Sequence, residues 1–455
     1  MRRLAAPFGL LAALAGCGPR PWYTASIPLH PGAPVPIDSR IIYHAMGFMS
    51  DTTGLRCVGS LHFLAGATPD STLAVFGVSL ANRALRFIPQ GQGFAASYHI
   101  ELEFRTPGGM SVRDIVRDET VLVGSSRETL RNDESVLFQE TFAVAPGAYT
   151  LHATIRDRNS PVDAHFDLSD TVPRFGAPSL GDPIAVYEGD GRASLRVDPK
   201  FVLNTRYTLH YGPDSLHVYV EGYGLKAGTK LAASVVDLDT MEFWRDTVAT
   251  NGDSTFARAM IAIPPGTLPL GRATLRVEAV GAPAHTSAPL LVGFSDRWAV
   301  QGFDQMVVLL RDFPRHDLWT ALRDAPHPAR VTAWRTFAHA SNPDSAGTRN
   351  VALEHYFTRV EEATQRFSEP GVPGWQTDRG EVYIALGDPD RSFDVPGSLP
   401  GLRWEYDNPH LTLIFKDDTG LGQFHLTAES RVDFDKATGK TPGETTSTAS
   451  PTPHG

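Results

Sequence analysis

Residues 374–390 read GWQTDRGEVYIALGDPD and differ in pattern from the sequence on either side. A helical pattern ends just before them, at Glu369-Pro370-Gly371, and the run EVYIAL at 381–386 is typical of a strand. The chain must therefore turn from a helix into a strand within a few residues. We predict that the large side chain of Trp375 fills the seam between these two elements.

Smaller residues of the same stretch suit a tight turn. Thr377 and Asp378 are expected to accept hydrogen bonds from turn amides, and Gly380 to adopt a backbone conformation closed to residues with a side chain. The stretch is then a structural latch. Two alternatives stay open: an exposed Trp375 loop that contacts another envelope protein, or a cation such as calcium. The carboxylates available for a cation are Asp378, Asp388, Asp390 and Asp394.

The sequence around this stretch changes from helical to strand patterns. Helical spacing begins near residue 297 and leads to a long helix over 350–368 with one apolar face. Four strand patterns follow, and these are EVYIAL (381–386), LRWEYD (402–407), LTLIFK (411–416) and QFHLTA (423–428). We predict an α+β domain over 297–432, with helices packed on a short antiparallel meander. The segment 433–455 is predicted to be disordered, because it is poor in apolar residues.

Strand patterns fill the chain before residue 297. In SYHIELEF, residues 97–104, apolar and polar side chains alternate with the period of a half-buried antiparallel strand. The run GAYTLHATIRD at 147–157 repeats this alternation. Glycine and proline turns separate such runs. The patterns predict two successive all-β immunoglobulin-like sandwiches, over 61–175 and 176–296.

The N-terminus has the features of a secretion signal. Residues 1–16, MRRLAAPFGLLAALAG, have a basic start, an apolar run and a small-residue end. The tetrapeptide Leu14-Ala15-Gly16-Cys17 resembles the bacterial lipobox, in which the chain is cut before the cysteine and the thiol carries a diacylglycerol. We expect Cys17 to anchor the protein by its lipid in the outer membrane, facing the periplasm. Residues 17–60, rich in proline, would form an extended tether.

Composition and motifs narrow the function classes. Apolar residues make up 42% and charged residues 20% of the 455 residues, as in folded globular chains, and the length suggests several domains. A formal net charge of −10 argues against a nucleic-acid partner. Neither a catalytic motif such as HExxH or GxSxG nor a histidine–cysteine cluster at metal spacing occurs, so we expect no cofactor and no metal. With Cys17 lipidated, Cys57 would have no intramolecular disulfide partner.

The run 334–390 resembles the GWxTD domain of bacterial secreted and lipoprotein chains. The motif residues and the further matching positions are Gly374, Trp375, Thr377, Asp378, Arg379, Gly380, Tyr383, Gly387, Pro389 and Asp390. The resemblance covers roughly residues 300 to 430. One departure is Ser341-Asn342-Pro343, where family members commonly have an Arg-Asp-Pro step before the long helix. The resemblance implies an architecture and a cell-envelope habitat, but no reaction.

Two function classes follow from the sequence. The first is a non-enzymatic cell-envelope lipoprotein, a structural or protein-docking module whose partner is another envelope protein. The alternative is a secreted hydrolase or carbohydrate-binding protein that uses the sandwich loops or the C-terminal acidic residues. An acidic cleft with an aromatic platform would favour the alternative, whereas an exposed apolar surface would favour docking.

Overall fold

The computed structural model describes residues 36–439 except 52, 132–133, 345–348 and 398. The predicted signal peptide, Cys17 and the end of the C-terminal tail lie outside these residues. Among the helices of the described part, none is long and apolar enough to cross a membrane.

The described part of the predicted tether is not extended. Strand β1 (Ile37–Asp38) leads into helix α1 (Ser39–Ala45), which begins where the Asp38 carboxylate accepts a hydrogen bond from the Arg40 amide. Ile42 and Tyr43 of this helix are buried, and the Tyr43 hydroxyl lies 2.8 Å from Oγ1 of Thr208. The apolar side chains of α1 therefore fix residues 37–45 to the second sandwich, which is the reason the tether prediction is wrong there.

The first sandwich consists of two antiparallel sheets around one core. Its strands are β2 (Cys57–Ala65), β3 (Thr72–Ala81), β4 (Ile88–Gln90), β5 (Gly93–Arg105), β6 (Ser111–Val123), β7 (Glu134–Val144), β8 (Gly147–Asp157) and β9 (Asp163–Val172). One sheet has the order β2-β3-β7; in the other, β5 pairs with β4, β6 and β8, and β9 pairs with β8. The alternation predicted for 97–104 is confirmed, because Tyr98, Ile100, Leu102 and Phe104 are all buried in this core.

The second sandwich has the same general construction. Its strands are β10 (Ser179–Leu180), β11 (Ile184–Gly191), β12 (Lys200–Leu203), β13 (Thr208–His210), β14 (Leu216–Tyr223), β15 (Lys230–Asp237), β16 (Glu242–Ala249), β17 (Asn251–Gly252), β18 (Phe256–Ile263), β19 (Gly271–Ala279) and β20 (His285–Gly293). One sheet has the order β12-β11-β14-β18-β17, with β10 also on β14. The other has the order β13-β20-β19-β15-β16, in which β13 and β20 are parallel.

The two sandwiches share an apolar interface through the sheet β2-β3-β7. Strand β2 and almost all of β3 are buried on both faces. One face lies in the core of the first sandwich, and Leu64, Leu73 and Val75 on the other face pack against β11, β12 and β14. The sandwiches therefore contact each other through packed strands rather than through a linker alone.

A buried ion pair lies beside this interface. The Arg192 guanidinium donates to both carboxylate oxygens of Glu221, at 2.8 and 2.7 Å, and both side chains are at most 1% exposed. The hydroxyls of Tyr219 and Tyr223 donate to the same carboxylate. Nη2 of Arg192 also donates to the carbonyl of Ala65 in the first sandwich, at 2.6 Å. The charges are thus satisfied without water, and the pair connects the two sandwiches.

The C-terminal part has helices followed by a four-stranded antiparallel sheet. Its elements are β21 (Trp298–Ala299), α2 (Phe303–Leu309), α3 (His316–Arg323), α4 (Arg330–Ser341), α5 (Val351–Arg366), α6 (Asp378–Leu386), β22 (Arg391–Asp394), β23 (Gly401–Tyr406), β24 (Leu411–Lys416), β25 (His425–Leu426) and α7 (Ala428–Thr438). The sheet has the order β22-β23-β24-β25, and β21 pairs with β1. The predicted combination of a mostly β chain with a C-terminal α+β region is confirmed.

Two element predictions in this part are wrong. The run EVYIAL lies in helix α6, because Thr377 caps its N-terminus and Gly387, with φ of +84°, ends it. Residues 433–438 are helical in α7 rather than disordered, because Phe434 is fully buried and holds this helix on the sheet. Residues 440–455 of the predicted tail lie outside the described residues.

One hydrophobic core continues from the second sandwich into the C-terminal part. It includes Leu275 and Leu290 of the sandwich, Phe357 of α5, and Trp375 and Phe434. Buried side chains pack against each other across the predicted domain boundaries near residues 176 and 297. Because packing does not separate the domains there, these two boundaries stay predictions.

Candidate functional site

Trp375 lies inside the molecule. It is in a short 3-10 turn, Gly374–Gln376, that packs against α5 and α6, and its side chain is 0% exposed. The guanidinium of Arg311 stands over the indole, 4.7 Å from the ring centroid. Trp375 thus fills a seam, as the latch interpretation requires, but the seam is between two helices. Its burial excludes the alternative of an exposed contact loop.

The two glycines of the motif allow this turn to close. A Cβ atom on Gly374 would lie 2.0 Å from the carbonyl oxygen of Ala363 in α5. A Cβ atom on Gly380 would lie 1.8 Å from the carbonyl oxygen of Gly374. The predicted reason for Gly380 is wrong: it is part of helix α6, and it is a glycine because the backbone of the turn passes too close for any side chain.

Thr377 is the N-cap of α6. Its Oγ1 accepts a hydrogen bond from the Gly380 amide at 3.1 Å and donates to the Gly374 carbonyl at 2.8 Å. The hydroxyl therefore satisfies one orphan amide of the helix and fixes the preceding turn. The acceptor role expected of Thr377 is what the structure has.

Asp378 does not bind turn amides. Its carboxylate accepts a hydrogen bond from the Leu426 amide at 2.6 Å and one from Nη2 of Arg431 at 2.7 Å. Nη1 of Arg431 donates to Glu381, also at 2.7 Å. Burial opposes the charge of Arg431, but the carboxylates of Glu381 and Asp378 outweigh it and raise the pKa of this guanidinium. The start of α6 is thereby connected to β25 and α7.

The remaining matched residues attach the motif to its surroundings. Nη2 of Arg379 donates to Glu369 at 2.9 Å, and its guanidinium stands over the ring of Phe424. The Gly387 carbonyl accepts a hydrogen bond from the Tyr406 hydroxyl, and the Asp390 carboxylate accepts one from the Asp407 amide. Pro389 is half-buried in the turn between α6 and β22.

Tyr383, the matched residue in the middle of α6, is also engaged. Its hydroxyl donates to the Glu362 carboxylate on α5. Burial, together with this carboxylate, raises the pKa of Tyr383 to about 12, so the phenol stays protonated at neutral pH. The Tyr383 side chain therefore connects α6 to α5. A phenol that stays protonated cannot act as a general base.

The cation alternative needs carboxylates that converge, and these do not. Asp378 binds Arg431, Asp388 binds Arg366 at 2.6 Å, and Asp394 lies in the exposed strand β22. Within the described residues, no group of three or more histidine, cysteine, aspartate or glutamate side chains is placed to hold a metal ion. The motif is thus an arrangement of internal contacts rather than an open site.

Sequence reasoning missed the partners of the motif. Arg311 precedes Trp375 by 64 residues and Arg431 follows Asp378 by 53. Neither has a local pattern that indicates its partner. The helix itself could have been found, because Thr377 before acidic residues and Gly387 after the apolar run are typical helix start and stop signals.

We expect Gly380→Ala to lower the free energy of unfolding by about 1–3 kcal/mol, because the added methyl group overlaps the Gly374 carbonyl. Urea denaturation of the purified chain measures this loss. Gly212→Ala is the matched control, since a Cβ atom there meets nothing within 4 Å, and it should change stability by at most about 0.5 kcal/mol. An equally small effect at both positions would contradict the close approach.

Two comparisons with known proteins give no close relative. A search of curated proteins finds no match. Among solved structures, native Escherichia coli alpha-2-macroglobulin has 10% identity, covers 53% of this chain and 16% of its own, and has a TM-score of 0.17. Its trypsin-activated form has 11% identity, covers 54% of this chain and 17% of its own, and has a TM-score of 0.17. Bifidobacterium dentium beta-glucuronidase in complex with coumarin-3-O-glucuronide has 11% identity, covers 48% of this chain and 39% of its own, and has a TM-score of 0.16.

This chain therefore spans less than a fifth of the macroglobulins and about two fifths of the glucuronidase, and such low TM-scores carry no argument. The family match is different in kind, because it covers residues 304–426 and so includes every motif residue described above. Residues 304–426 of this chain form a GWxTD domain.

Proposed function

We propose that the protein is a non-enzymatic cell-envelope lipoprotein that holds a partner protein close to the membrane. Lipid on Cys17 anchors it, in the outer membrane on the periplasmic side, and its two sandwiches, which we take to be immunoglobulin-like, act as a rigid spacer. The signal-like residues 1–16 and the lipobox-like tetrapeptide before Cys17 support the anchor. The packed interface between the sandwiches supports the rigidity.

The observation that carries the docking role is strand β6. It is 13 residues long and, among the described strands, it pairs only with β5. Its apolar residues Val112, Val116 and Leu122 are 40%, 51% and 70% exposed. A long edge strand presents unpaired backbone donors and acceptors, and exposed apolar side chains beside them provide contacts for a second strand. We infer that a strand of the partner pairs with β6.

Two carboxylates of the C-terminal sheet region, those of Glu405 and Asp407, are bound to arginines, and this supports docking over hydrolysis. Glu405 binds Arg391 at 2.8 Å and also Arg403, and Asp407 binds Arg391 at 2.7 Å. Hydrolysis by paired carboxylates needs one that accepts a proton and one that donates it. Here Glu405 and Asp407 are both held by the same guanidinium, that of Arg391. No observation on these residues favours the hydrolase.

Replacing the lipidated cysteine tests the anchor. We expect wild-type cells grown with a fatty-acid analogue to label this protein, and Cys17→Ser to abolish the label, because serine has no thiol for the diacylglycerol. Cys57→Ser is the control, since Cys57 is buried, and burial raises the pKa of its thiol to about 12. Equal label on wild type and on Cys17→Ser would contradict lipidation there.

Charge on β6 tests the docking edge. We expect Val116→Glu to weaken capture of the cross-linked envelope partner roughly tenfold, because a carboxylate that loses water at the interface costs at least about 1.4 kcal/mol. Val280→Glu is the matched control, because Val280 is similarly exposed, at 57%, but follows β19 in the second sandwich. The same loss with both variants, or no loss with Val116→Glu, would contradict docking through β6.

A further inference from the structure

A cleft opens where α1 and the two sandwiches meet. Its volume is about 160 Å³. Five arginines line it, and these are Arg40, Arg56, Arg83, Arg206 and Arg297. Asp296 is the one carboxylate among the described residues of the lining. Such a concentration of guanidinium groups is unusual in a chain whose formal net charge is −10.

The carboxylates near the cleft are shared between cations. Asp38 accepts hydrogen bonds from both Arg40 and Arg56, with closest distances of 3.0 and 2.9 Å. Asp296 accepts one from Arg206 at 3.1 Å and lies 3.5 Å from the His210 ring. Asp38 is thus engaged by two guanidinium groups, and Asp296, the carboxylate of the lining, is engaged by Arg206.

Arg297 differs from the other arginines named above. Within the described residues its guanidinium has no hydrogen bond or ion pair and only stands over the Trp298 ring, at 5.0 Å. Partial burial, together with the charges of Arg56 and Arg83, lowers its pKa. A half-buried cation beside like charges is unfavourable until an anion approaches it.

Not every arginine of the cleft is available to a ligand. Arg206 is nearly buried and donates to Ser79 in the first sandwich as well as to Asp296, so it joins the sandwiches. The side chain of Arg56 is 36% exposed, and Arg297 is likewise accessible from the cleft. We assign ligand binding to Arg56 and Arg297 and a positioning role to Arg206.

We propose that this cleft binds a phosphate group, with Arg297 and Arg56 as its principal ligand-binding residues. The planar guanidinium fork matches phosphate oxygens in a bidentate manner. Arg297 and Arg56 bring two guanidinium groups to the same cleft, and two positive charges favour a dianion over a single carboxylate. The group could belong to a small soluble phosphomonoester or to a lipid headgroup, since both present the same oxygens.

Calorimetric titration of the whole chain with glycerol 3-phosphate tests this site. We expect saturable binding that weakens as salt is added, and roughly tenfold weaker binding by Arg297→Gln, which loses its charge-assisted hydrogen bonds. Arg276→Gln, on the exposed side of β19, is the matched control and should bind like wild type. Arg297→Lys keeps the charge without the fork and should fall between them, which protects the test if Arg297→Gln unfolds.

Three results would overturn the proposal: no binding by wild type, equal binding by wild type and Arg297→Gln, or acetate bound as tightly as glycerol 3-phosphate. The source of the phosphate is decided by competition, in a chain that carries Cys17→Ser so that no acyl group enters the bilayer. Vesicles of phosphatidic acid in phosphatidylcholine that displace glycerol 3-phosphate would identify a headgroup. Failure of these vesicles to compete would identify a soluble phosphomonoester.

Discussion

The turn at Trp375 closes because two stretches of backbone approach each other with no side chain between them. The carbonyls of Ala363 and Gly374 occupy the space that a Cβ atom on Gly374 or Gly380 would need. This contact places α6 against α5 and buries Trp375. It also aims Asp378 at Arg431, so that α7 and the sheet are held to the same point. The contacts of α6 with α5, β25 and α7 depend on these few atoms.

The motif also contacts structure outside the GWxTD domain, because the hydrophobic core that contains Trp375 continues into the second sandwich. Trp375 belongs to the same hydrophobic cluster as β19 and β20 of the second sandwich. That sandwich in turn packs on β2 and β3 of the first, with the Arg192–Glu221 pair beside the contact. Continuous close packing of this kind holds the sandwiches and the GWxTD domain in fixed relative positions and opposes hinge motion between them. It suits a spacer that presents a docking edge and an anion cleft at fixed places.

The sequence was informative where one period dominates an element. Alternation in β5 predicted its buried face, and the apolar stripe of α5 predicted its helix. The short run EVYIAL is ambiguous, because five apolar residues after Glu381 fit a strand or a buried helix equally, and the caps around them decide between the two. The apolar runs of β2 and β3 are typical of strands buried on both faces, and they could have indicated the contact between the sandwiches.

The contacts that make the site could not be predicted in the same way. A glycine in a turn suggests a left-handed backbone, yet Gly380 is needed for space, which depends on a carbonyl six residues earlier in the chain. Asp378 and Arg431 meet only because α7 returns to the sheet, and Phe434 is a single apolar anchor in a polar helix. Likewise the arginines of the cleft are scattered from residue 40 to residue 297 and share no motif.

Hydrogen exchange on Trp375→Ala tests most directly whether the motif stabilises more than its own domain. Removing a fully buried tryptophan should cost about 3–5 kcal/mol in the core to which it belongs. If that core is continuous, amide exchange should become faster in α5 and α6 and also in β19 and β20 of the second sandwich. Faster exchange confined to residues 351–438, with the amides of β19 and β20 protected as in wild type, would contradict this account.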